Sequence, residues 1–119
     1  MRKIVVTGKD WRTRALLRAQ FLEEGLDVEA HESVSTALDD SAGSAVLPAL
    51  LVADLSASEN PAAEIDQLTE WSKRVPVWII ASRNIVNEND LKDRGFEVIL
   101  FKPVDVGQLV ERIKRRLKA

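Results

Sequence analysis

Four short, unbroken apolar runs punctuate the chain: Ile4-Val5-Val6, Leu50-Leu51-Val52-Ala53, Val77-Trp78-Ile79-Ile80 and Val98-Ile99-Leu100-Phe101. Runs of this length without alternation suit strands covered on both faces, as in a parallel sheet. A fifth segment, Asp27-Val28-Glu29-Ala30, alternates polar with apolar and suits an edge strand. The intervening segments carry helical spacing. Asp10 is placed to cap a helix from Trp11 to about Glu24, with Leu16, Ala19, Phe21 and Leu22 as its apolar stripe and Gly25 as its stop. A short helix over about Ser33–Asp40 would turn Val34, Ala37 and Leu38 inward, and the stretch 40–44 reads as a loop. Pro61 suits the first turn of a helix carrying Ile65, Leu68 and Trp71. A segment around Val86–Arg94, poor in apolar residues, would be the fourth. The last begins at a capping Asp105 and spaces Leu109, Ile113 and Leu117 along one face.

Strands alternating with helices imply a parallel sheet with helices on both sides. With right-handed crossovers, the expectation is one domain over residues 1–119. It would be a three-layer α/β/α sandwich on a five-stranded parallel sheet of order 2-1-3-4-5. In such sheets ligands lie beyond the carboxyl ends of the strands. That singles out Thr7-Gly8-Lys9-Asp10, Asp54-Leu55-Ser56 and Lys102-Pro103 as site loops.

Composition narrows the chemistry. The 119 residues include no cysteine and one histidine, His31, which excludes disulfides, thiolate chemistry and a His-rich zinc site. No apolar run approaches a membrane span of roughly 20 residues, nor does the N-terminus read as a signal peptide. A cytoplasmic protein is the expectation. The net charge of −2 argues against a dedicated nucleic-acid surface, although Arg112, Lys114, Arg115, Arg116 and Lys118 make the last helix basic. Basic residues there offset the helix dipole. His31 is expected at the surface, Trp71 and Trp78 in the core, and Trp11 partly exposed.

Asp54 at the end of a buried strand needs a counter-charge, and Lys102 is placed to supply it. The pair reads either as a structural ion pair or as a nucleophilic carboxylate beside a cation, suited to accepting a phosphoryl group.

Pro48-Ala49-Leu50-Leu51-Val52-Ala53-Asp54-Leu55, Gly95 followed by Lys102-Pro103, and Leu17–Gly25 together resemble the receiver domains of two-component response regulators, over nearly the whole chain. The resemblance implies a flavodoxin-like (CheY-like) fold, a phosphoacceptor at Asp54, a charge partner at Lys102 and a cis Lys102-Pro103 peptide. It also implies Mg²⁺ bound by Asp54 together with an acidic pair after the first strand. Thr7-Gly8 stands where that pair is expected, with Lys9 in place of a third acidic residue. Ala81 replaces the hydroxyl residue after the fourth strand, and Ile99 the switching aromatic. Ser56-Ala57-Ser58-Glu59 replaces the usual turn.

Metal binding is therefore expected to be weak, held by Asp54 and the Ser56 carbonyl, and the switch damaged. Lys9, Asp10 and Ser82 are candidate substitutes. The Lys9 ammonium would either fill the metal's place beside Asp54 or point into water; Asp10 would cap the first helix or reach the site. The leading expectation is a non-enzymatic, phosphorylation-independent (or weakly phosphorylated) interaction module. It would meet a histidine kinase, an output domain, another signalling protein or a second copy through the face of helix 4, strand 5 and helix 5, including Leu91, Phe96 and Val106. The alternatives are a phosphorylated receiver with an unusual metal-poor site, and a flavodoxin-like mononucleotide-binding protein suggested by Thr7-Gly8-Lys9 at the first turn.

Overall fold

Parallel pairing joins β1 (Lys3–Gly8) to both β2 (Asp27–His31) and β3 (Leu50–Asp54). It then joins β3 to β4 (Val77–Ala81) and β4 to β5 (Val98–Phe101), giving the order β2-β1-β3-β4-β5. This arrangement comes from a computed structural model, which describes residues 3–41 and 47–118, with the backbone alone over 38–41. The expected five-stranded sandwich is the one observed. The alternating strand, β2, lies at one edge, whereas β1, β3 and β4 are buried nearly throughout.

The two-residue period of the strands divides the core into two layers. Val5, Leu51, Ala53, Val77, Ile79 and Ala81 pack against α2 (Val34–Ser41), α3 (Pro61–Trp71) and α4 (Glu88–Leu91). Ile4, Val6, Leu50, Val52, Trp78 and Ile80 pack against α1 (Trp11–Glu23) and α5 (Val106–Lys118). Trp71 and Trp78 are buried and Trp11 is exposed.

Local chemistry explains the helix ends. Asp10 accepts from Arg12 N, Asn60 from Ala63 N and Asp105 from Gln108 N, each the side chain of an N-cap satisfying an orphan donor. Gly25, at φ +75°, closes α1 with paired bonds from Gly25 N to Leu22 O and from Leu26 N to Phe21 O.

Four local expectations are corrected. The inward stripe of α1 is Leu17 and Phe21; Leu16, Ala19 and Leu22 face solvent. The second helix runs one residue past its expected end at Asp40, through Ser41, while the rest of the expected loop and the Leu38 side chain lie outside the described residues. The fourth helix shrinks to one turn. Asn87 caps it, and Asp93 takes a left-handed backbone (φ 67°) soon after, because Asn and Asp favour caps and turns over helix interiors. His31 is buried rather than superficial, and its Nε2 donates to Glu29 Oε1 at 2.6 Å.

Candidate functional site

Asp54 sits where β3 reaches the crest of the sheet. Its neighbour across β1 is Gly8, not Thr7, which pairs one step back with Ala53. Strand β1 runs through Thr7 and Gly8, so these belong to the sheet rather than to the loop expected there. The two backbones approach closely at position 8, so a side chain there would need the strands to give slightly. A Cβ there would stand 3.0 Å from the Asp54 Cβ and 3.3 Å from the Asp54 carbonyl.

The Asp54 carboxylate is almost wholly buried. Its Oδ1 accepts from Ser56 N at 2.9 Å, which sets the turn after β3. Its Oδ2 is sealed from solvent and has no directional hydrogen-bond partner among the described residues. The contact that neutralises it is ionic: Lys102 Nζ lies 3.2 Å away. A buried carboxylate left without such a cation would be strongly disfavoured.

Lys102 reaches this point from the end of β5, ahead of a cis peptide to Pro103. The same ammonium donates to Asp10 Oδ2 at 2.8 Å and to Thr13 Oγ1 at 3.0 Å, and the Thr13 hydroxyl in turn donates to Asp10 Oδ2. The sequence-predicted pair is thus brought together, with Asp10 as a third member. Asp10 caps α1 through Oδ1 and holds Lys102 through Oδ2, so both of its expected roles are realised at once. Its carboxyl is lowered to about 2, first by the hydrogen bond from Lys102 and further by Thr13 and Arg12 N, against the cost of burial. Burial pushes the Lys102 ammonium down, but the hydrogen bond to Asp10 and the charge of Asp54 outweigh it and raise it above the ordinary lysine range.

The other candidates lie outside this triad. Lys9 pairs with Glu59 at 3.3 Å, on the exposed side of the loop, so the cation beside Asp54 is Lys102 and not Lys9. Ala81 is buried at the end of β4. Ser82 follows it half-buried, and its carbonyl accepts from Ile85 N and Val86 N. Ile99 packs into the layer beneath α3 and α4. Thr13 and Arg14 were not singled out from the sequence. Both follow Asp10 at the helical spacings that place them above the site, and the Arg14 guanidinium donates to the Gly8 carbonyl.

These side chains do not fit a resident Mg²⁺, which takes near-octahedral oxygen ligands. Asp10 Oδ1 serves Arg12 N, its Oδ2 serves Lys102 and Thr13, and the Gly8 carbonyl serves Arg14. An ammonium already lies between the two carboxylates. Among the described residues no cluster of three acidic, histidine or cysteine side chains is placed to hold a metal.

No protein-family model matches the sequence, and a search of curated proteins finds no match. Solved structures do match. The receiver domain of the Francisella response regulator 1452 superposes with a TM-score of 0.79 at 21% identity, covering 99% of this chain and 98% of that one. The receiver domain of NtrX from Brucella abortus gives 0.78 at 22%, covering 98% of both chains. The signal receiver domain of a putative Luxo repressor protein from Vibrio parahaemolyticus gives 0.76 at 20%, covering 99% of this chain and 92% of that one. The chain has the response-regulator receiver (CheY-like) fold.

Proposed function

We propose that this chain is a receiver-like module of two-component signalling that binds partner proteins without taking up a phosphoryl group, and that it catalyses no reaction of its own. The observation that carries the reading is the placement of Lys102 between Asp10 and Asp54. Phosphoryl transfer to a carboxylate depends on cations that neutralise the charge developing on the transferring group. Here the triad's ammonium is held by both carboxylates, the Asp54 oxygen facing it is closed to solvent, and the flanking positions are Gly8 and Lys9. The fold is retained, and a cation of the chain's own, Lys102, stands against Asp54 at its crest.

The partner surface in this reading is the face of α4, β5 and α5, where a kinase, an output domain or another signalling protein would dock. All four residues of β5 are partly exposed there, as is Val106. Phe96 is half-buried against the core, and Leu91 lies fully in the core beneath that face and takes no part in docking.

The test is a titration with Mg²⁺ and beryllium fluoride, a mimic of the phosphoryl group, read by Trp11 fluorescence; Trp11 directly follows Asp10. The expected result is no saturable change at millimolar metal. A saturable change that disappears in Asp54→Asn overturns the reading in favour of a phosphorylated receiver.

A further inference from the structure

Helix α1 carries apolar residues on two opposite faces. Leu17 and Phe21 fill the core, while Trp11, Leu16 and Leu22 are 62%, 47% and 47% exposed. Viewed down the axis at about 100° per residue, Ala15 and Ala19 run along the middle of the outward face. Trp11 and Leu22 lie on one flank of that line, and Arg12 and Glu23 on the other. Each of these two pairs is separated by about three turns, so the members of a pair stand nearly in line along the helix.

This layout complements itself. A two-fold axis perpendicular to the helix, passing near its middle, runs a second α1 antiparallel to the first and keeps each flank on its own side. Trp11 of one copy then meets Leu22 of the other. On the opposite flank Arg12 meets Glu23, and both contacts occur twice. The alanines between them let the backbones approach. Neither the Arg12 guanidinium nor the Glu23 carboxylate has an ion-pair partner among the described residues, whereas the next carboxylate along, Glu24, is already held by Lys114 at 2.7 Å. The Arg12 guanidinium rests over the Trp11 ring, 5.6 Å from its centroid, and the exposed Arg18 on the Trp11 flank also has no ion-pair partner among the described residues; of these charges, self-pairing neutralises Arg12 and Glu23.

We infer that the chain self-associates through α1 as an antiparallel two-fold dimer, with Trp11 seated against the partner's Leu22 and Arg12 paired to the partner's Glu23. One helix per copy gives a contact below the standard interface of about 1,600 Å², so the dimer is weak. The occupant is a second copy because one helix supplies both halves of the charge pattern.

Analytical ultracentrifugation of the full chain from about 10 µM to about 1 mM tests this. The expected result is a concentration-dependent dimer, accompanied by a blue shift of Trp11 emission, since Trp71 and Trp78 are already buried. Arg12→Glu and Glu23→Arg each place like charges opposite one another twice and raise the dissociation constant by about tenfold or more. The double reversal Arg12→Glu/Glu23→Arg restores the pairing and the wild-type constant. All three variants change exposed side chains, and circular dichroism checks that each is folded. A chain that stays monomeric throughout overturns the inference. So does a dimer indifferent to the single reversals, or one that the double reversal fails to restore.

Discussion

The Lys102 ammonium donates to Asp10 Oδ2 at 2.8 Å, tying the end of β5 to the residue that caps α1. Elements at opposite ends of the sequence are thereby fastened above the strand that carries Asp54. The bond joins the charge state of the crest to the start of a helix.

The first consequence is a pH dependence. The Asp10 carboxyl falls from an ordinary value near 3.8 to about 2 in the folded chain, with its hydrogen bond from Lys102 as the leading cause. A group lowered by folding stabilises the native state above its unfolded value, and that contribution is lost as pH falls from about 4 to about 2. Because Asp10 is partly exposed, solvent reduces the effect to about 1–2 kcal/mol. Lys102 is raised, so its contribution is complete below the unfolded lysine value of 10.5 and declines as pH rises beyond it. Urea denaturation as a function of pH checks both limbs. Asp10→Asn should flatten the acid limb between about pH 4 and 2, and should lower stability at pH 7 by about 1–2 kcal/mol.

Removing the cation should be more costly than removing either anion. Lys102→Met leaves Asp54 buried and charged with no counter-ion, and breaking such a pair costs about 3–5 kcal/mol. Asp54→Asn keeps an acceptor for Ser56 N and removes the charge. The double variant should therefore be more stable than the sum of the single losses predicts, by about 1–3 kcal/mol. Equilibrium unfolding of the four proteins at pH 7 measures this coupling, and strict additivity would contradict the ionic role of the 3.2 Å contact.

The strands were legible because each apolar run is short, rich in β-branched residues or leucine, and has a polar residue or a proline within two positions of either end, which favours a buried strand over a helix. The order of elements then left few topologies. Helix α1 was harder to read. Leu16 and Leu17 are adjacent, so one series (Leu16, Ala19, Leu22) and another (Leu17, Phe21) both fit a helical period, and periodicity does not say which faces the sheet. At the site, Asp54 and Lys102 were legible as strand-end residues of opposite charge. The double duty of Asp10 was not, because its cap role already accounts for an aspartate at that position. Lys9 was open between Asp54 and solvent; it lies on the solvent side, where the exposed Glu59 holds its ammonium. Residues 82–97 mix Asn, Asp and Gly with few apolar positions, which is why a single helical turn forms where a longer helix was expected.

The orientation of α1 yields a sharp contrast between neighbours. Leu17 is fully buried, so Leu17→Ala opens a cavity and should cost about 2–5 kcal/mol. Leu16→Ala, one residue away on the exposed face, should change stability by about 0.5 kcal/mol or less. Chemical denaturation at low protein concentration, where self-association does not contribute, distinguishes them. Equal losses at the two positions would mean that the helix is rotated from the orientation described.

Rebuilding an acidic cradle tests why the crest fails to suit a divalent ion. In Gly8→Asp/Lys9→Asp the ammonium at position 9 is exchanged for a carboxylate, with little loss from the exposed Lys9–Glu59 pair. The new Cβ at position 8 crowds Asp54 at 3.0 Å, so β1 and β3 must part by a few tenths of an ångström. Overpacking of this kind costs about 1–3 kcal/mol, and repulsion from Asp54 adds to it. Without metal the double variant should therefore melt below the wild type. Mg²⁺ should recover part of the loss: a site of about 1 mM affinity gains about 1.4 kcal/mol at about 10 mM ion. The wild-type melting temperature should not respond specifically to Mg²⁺ beyond the effect of matched ionic strength. Thermal unfolding of both proteins with Mg²⁺ and with an equivalent monovalent salt is the measurement. A wild-type response as large as the variant's would show that Asp10, Asp54 and Lys102 rearrange to admit the ion.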